Sequence, residues 1–179
     1  MDRKVVLFEL MDTNDWYIHD LLEKGDREML YWTPDGRGNS ISVTIWHAAR
    51  ALDVFLHQHV LGGGAESELW FASGWAERTG YDPRGIGTHG WGMLTGYSEE
   101  EVQAVPRFET AVLRGYYDEV LGAVRGYLRE TADEALNEMA PGYEGKQTFY
   151  FWVRHPIFDL TRHVGEILAL KALWERGQE

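Results

Sequence analysis

Residues 148–174, TFYFWVRHPIFDLTRHVGEILALKALW, decide the reading of the chain. Ile157, Leu160, Val164, Ile167, Leu168 and Leu170 recur at helical steps, the pattern of a long helix with one buried face. Pro156, near the front of this run, predicts a kink or a helix start one turn later, because proline offers no N–H and crowds the preceding turn. Within the same run His155, Asp159 and His163 fall at i, i+4 and i+8. Those positions stack along one helix face, with neighbouring Cβ atoms about 6 Å apart.

Three further segments upstream carry the same period. In residues 2–24, Val6, Leu10, Thr13, Tyr17, Leu21 and Lys24 form a stripe, with Asp2 as N-cap and Gly25 as C-cap. After a turn-rich stretch (residues 33–39, TPDGRGN), Ser40 caps a second helix reaching about His59, with Ile41, Ile45, Ala48, Leu52, Phe55 and Leu56 inward. Residues 62–97 hold ten glycines and no sustained period, which predicts a long irregular connection with one short helix near residues 66–75. Ser98 and Glu101 have capping-box spacing. Pro106 then stands close to the start of a third helix, whose buried face includes Phe108, Val112, Gly115, Tyr116, Val120, Val124 and Leu128 and which fades near Asp133. No strand period and no repeat is visible. The expected fold is all-α: one domain over residues 1–179, a four-helix bundle of antiparallel type, about 55–65 % helical against a globular average near one third, with a long crossover between helices 2 and 3.

Composition narrows the function. Among 179 residues, 17 Lys and Arg stand against 29 Asp and Glu, a net charge of −12, which opposes binding to a phosphate backbone. The absence of cysteine excludes disulfides, thiolate metal sites and a thiol nucleophile of the chain's own. No apolar run approaches the roughly 20 residues of a membrane span. The start, MDRKVVLFELMD, lacks the architecture of a signal peptide. A soluble cytoplasmic protein acting on a small molecule is the expectation.

Asp159 and His163, one turn apart, can chelate a single ion, and His47 in the second helix could add a third ligand from across the bundle. Two imidazoles and a carboxylate leave room for water or substrate, as catalytic sites do. For one ion to join them, His47 and His163 must lie within about 8 Å. The plainer alternative is a polar core cluster satisfied by hydrogen bonds. His155 suits the wall of the pocket, since Pro156 disturbs the helix beside it. Glu166 could orient His163 or pair with Arg50, the ordinary interhelical ion pair being preferred. Gly165 suits a close helix approach. Trp46 and Trp152 are expected near the site as neighbours of the ligand segments. His57 and His59 point two ways, His19 lies on the surface, and His89, in GTHGWG, is an exposed loop histidine or a lid.

Three motifs carry a family resemblance: Asn14-Asp15-Trp16, Trp46-His47-Ala48-Ala49-Arg50, and His163-Val164-Gly165-Glu166-Ile167. With the order of elements, they make the chain similar to the DinB-like superfamily of YfiT-type proteins and thiol-dependent S-transferases. The resemblance places the metal triad on His47, position 159 and His163, with Asp159 where the family commonly has histidine. It implies a divalent ion (Zn, Ni, Mn or Fe) and a homodimer. It further implies transfer of an external thiol such as bacillithiol, mycothiol or glutathione to an electrophile, with no catalytic residue assigned beyond the ligands. A hydrolase using the same site, or a non-catalytic bundle that binds a small ligand or self-associates, is the alternative.

Overall fold

The computed structural model describes residues 2–178. Among the described residues it is 71 % helical with no strand, all-α as expected and above the expected helix content, because the crossover adds short helices of its own. Four long helices build the bundle: α1 (Arg3–Lys24), α2 (Ile41–Val54), α3 (Thr110–Glu130) and α4 (Phe149–Arg176). A π-helical turn, Phe55–Val60, extends α2.

Local chemistry sets the ends. Asp2 accepts from the Lys4 amide, and the Gly25 N–H closes α1 onto the Leu21 carbonyl. Ser40 and Thr148 accept from the third amides of α2 and α4. The capping box at Ser98 is present, but it starts a short helix, Glu99–Gln103, not α3. α3 begins at Thr110, past Pro106, although Phe108 is buried as expected. α4 runs through Pro156 as one helix from Phe149. Proline there withholds the N–H that the Trp152 carbonyl would otherwise meet, and burial of Trp152, Val153, Ile157 and Leu160 on both sides holds the helix together.

Paired contacts fix the directions. Arg3 lies over Tyr150 and Asn14 bonds Thr161 at 2.9 Å, so α1 and α4 run parallel. Trp46 packs on Phe108 and Tyr116 bonds Asp53 at 2.7 Å, so α2 and α3 are also parallel. His19–Asp118 and Arg125–Asp15 make α1 antiparallel to α3, while His47–His163 and His59–Trp152 make α2 antiparallel to α4. The antiparallel-type expectation thus holds for two of the four neighbouring pairs. The crossover explains the rest, because it returns the chain along the bundle before α3 starts.

That crossover, residues 61–109, is not structureless. It carries helices at Leu69–Ala72, Trp75–Thr79 and Glu99–Gln103, with 3-10 turns at Ala65–Ser67 and Thr88–Gly90. Trp70 and Trp75 from it enter the core against Tyr116 of α3. Gly115 makes room for this, since a Cβ there would sit 2.6 Å from the Trp75 ring. Gly165, by contrast, meets nothing within 4 Å. It does not mediate a close helix approach within the chain, because it faces outward from α4.

Candidate metal centre

α2 and α4 cross so that the His47 and His163 rings meet edge to face, 4.6 Å between centroids. Asp159, one turn before His163, puts Oδ2 3.2 Å from His163 Nε2. Ligand atoms of His47, Asp159 and His163 all lie within 4.8 Å of one another. The three residues named from the sequence are therefore brought together, near enough that small side-chain shifts would close them on one ion.

Each imidazole is oriented by a partner on its far nitrogen. His47 Nδ1 bonds the Met93 carbonyl; a carbonyl only accepts, so Nδ1 carries the proton and Nε2 is left with its lone pair. His163 Nδ1 bonds Glu166 Oε2 at 2.9 Å. Asp159 Oδ1 is held by Arg162 at 3.0 Å, leaving Oδ2 for the cluster. This donor set fits a divalent ion: two anchored imidazoles, one carboxylate and partners behind them.

Electrostatics divide the two histidines. Burial, with the neighbouring His163 charge, pushes His47 down to about 4, so it stays neutral. Burial also acts to lower His163, but the Asp159 and Glu166 carboxylates overcome it and hold that ring up to about 9. The hydrogen bond from His163 in turn keeps Asp159 below the usual carboxylate range. An open cleft of about 210 Å³ leads to the pair, lined by His47, His163, Asn39, Leu94, Thr95 and Val102. Leu94 adopts φ +74°, a strained backbone for a β-carbon residue, beside the carbonyl that holds His47.

Other expected site residues lie elsewhere. Trp46 packs on Trp70, Tyr81 and Phe108, away from His47, because adjacent helix positions diverge by about 100°. Trp152 stacks on His59, and His155 is exposed and stacks on Phe151. Arg50 does not pair with Glu166. It is fully buried, forms ion pairs with Glu68 at 2.7 Å and Asp53 at 3.4 Å, and donates to the Trp91 and Gly92 carbonyls at 3.2 Å each. Asp53 completes this hub by accepting from Tyr116 and from the Leu69 and Trp70 amides. Burial acts to raise Asp53, but His57, Arg50 and Tyr116 pull it below the usual range. The signal in the sequence was a charge set inside the apolar run of α2; its partners in the crossover had no period to betray them.

His89 is exposed, with its ring 4.6 Å from Trp91. His19 forms a second group with Asp15 and Asp118. Arg125 and Arg114 pair with those same two carboxylates, so the group is a surface ion-pair network.

The bundle, its crossover and the histidine–carboxylate group define a helical protein with a possible metal site. The sequence profile of the DinB superfamily matches residues 16–167, and the chain belongs to that superfamily. A crystal structure described as a conserved protein from Enterococcus faecalis has a similar fold, with a TM-score of 0.77 at 18 % identity over 97 % of each chain. Among curated proteins none matches. No helix among the described residues is long and apolar enough to cross a membrane.

Proposed function

We propose that the protein is a metal-dependent enzyme that transfers an external low-molecular-weight thiol to an electrophilic small molecule. The convergence of three donor atoms within 4.8 Å carries the reading. A divalent ion in this donor set would supply a Lewis acid that lowers the pKa of the thiol presented to it. His47 offers Nε2, held in that tautomer by Met93. Glu166 keeps the His163 ring turned toward Asp159. Leu94 and Val102 give the cleft apolar walls that limit water around the sulfur. With no cysteine in the chain, the sulfur belongs to a cosubstrate such as bacillithiol, mycothiol or glutathione. Hydrolysis would use the same residues.

A non-catalytic reading draws on one observation: the cluster satisfies its own hydrogen bonds, His163 between two carboxylates and His47 on a carbonyl. Metal analysis of untagged protein separates the two. Near-stoichiometric metal that disappears in His163→Ala supports the enzyme. Protein that stays metal-free after incubation with zinc, nickel, manganese or iron supports the non-catalytic bundle.

The assembly we propose is a homodimer through the outer face of α4, where Phe158, Leu168 and Leu173 are each more than one-third exposed beside the open Gly165.

A further inference from the structure

A second cavity of about 300 Å³ adjoins the metal cleft, the two sharing Val102 as a wall. Its lining includes Ser40, Ser42 and Val43 from the start of α2, and Gln103 and Arg107 from the segment before α3. Three features of different kind meet there. The N-terminus of α2 presents the positive end of its dipole and, at Ser42, an amide with no carbonyl to meet in its own helix. The Ser42 hydroxyl is buried, with the residue 1 % exposed, and has no hydrogen-bond partner. Arg107 rests over the Tyr31 ring, and no carboxylate among the described residues lies within ion-pair distance of it. None of the described lining residues is acidic, in a chain whose net charge is −12.

A buried unpartnered hydroxyl costs free energy unless a ligand meets it. A helix N-terminus together with a guanidinium is a ready seat for an oxyanion. We infer that this groove binds the oxyanion, carboxylate or phosphate, of a small-molecule ligand whose other end reaches the cleft beside His47 and His163. Val43, which also lines the groove, and His47 stand one turn apart on the same face of α2, about 6 Å along its axis, so a ligand of amino-acid to dipeptide length reaches from the groove to the cleft. The inference rests on the proposed function for what happens at the far end, whereas the anion seat itself needs no metal.

The test uses metal-free ¹⁵N-labelled protein titrated separately with succinate and with inorganic phosphate, followed by backbone amide shifts. Saturable shifts centred on residues 41–43 and 107 are expected, and the tighter of the two probes identifies the anion. Arg107→Gln should weaken binding about tenfold, the scale of one charge-assisted hydrogen bond, and Ser42→Ala should weaken it less, both with unchanged circular dichroism. Shifts that never saturate, or equal affinity in Arg107→Gln, overturn the inference. Zinc titration of the same samples keeps the two readings apart. Succinate or phosphate binding without zinc binding removes the metal reading and leaves the anion seat standing. Zinc binding without anion binding does the reverse.

Discussion

On the proposed metal reading, a proton and a divalent ion would compete for the same nitrogen of His163. In the metal-free protein His163 holds its proton up to about 9, whereas His47 is already neutral above about 4. Metal binding near neutral pH must then release about one proton, and affinity should rise about tenfold per pH unit up to pH 9. Calorimetry in buffers of different ionisation enthalpy checks the proton count, and a pH-independent zinc affinity would refute it. Stability of the metal-free protein runs the other way. The His163 pKa is raised on folding from about 6.5, so its contribution is complete below that value and is lost as pH rises through 9. In urea unfolding, the difference between wild type and His163→Gln should shrink over that interval. Asp159→His should keep metal binding and shift preference toward zinc or nickel, measured by competition between ions. Asp159 and His163 were legible in sequence because i, i+4 spacing fixes two side chains on one rigid face. His155 misled for the same reason taken one turn too far: eight residues accumulate about 80° of rotation, which carries it off that face. The roles of Glu166 and Met93 depend on which ring nitrogen each meets, and spacing says nothing of that.

At the scale of elements, the long helices were readable because caps and apolar periods are local. Three of the four begin where capping residues place them. α3 escaped because a capping box launched a different, shorter helix, and the sequence alone does not say how far a helix runs after its cap. Two glycines on α3 give opposite expectations. Gly115→Ala should cost about 1–3 kcal/mol, because the new Cβ meets the Trp75 ring at 2.6 Å. Gly126→Ala meets nothing within 4 Å and should gain about 0.5–1 kcal/mol from helix propensity alone. Thermal melts of both single variants decide it, and equal shifts of one sign would contradict the packing described. The buried Arg50 hub makes a larger claim: Arg50→Ala strands Asp53 and Glu68 in the core and should cost about 3–5 kcal/mol.

For the molecule as a whole, the expected assembly is two chains packed through α4. Light scattering at tens of micromolar should report twice the 20.6 kDa chain mass, and Leu168→Glu should return it to one. A monomeric wild type would reject the dimer without touching the proposed metal centre, since all three candidate ligands come from one chain. The least legible part of the molecule was its crossover, whose glycine-rich residues obey no period yet supply the partners of Arg50 and His47. Those two side chains, nearly one turn apart on α2, hold the Trp91, Gly92 and Met93 carbonyls in succession. Gly92 itself cannot be replaced lightly: its φ is +61°, and a Cβ would sit 2.4 Å from the Pro83 carbonyl. Such stitching makes the crossover a reporter on the cleft. Whatever immobilises His47 also raises the free energy of lifting residues 91–94, so occupancy of the centre should be written into amide hydrogen exchange along that segment. Zinc should slow exchange there in the wild type and leave it unchanged in His163→Ala.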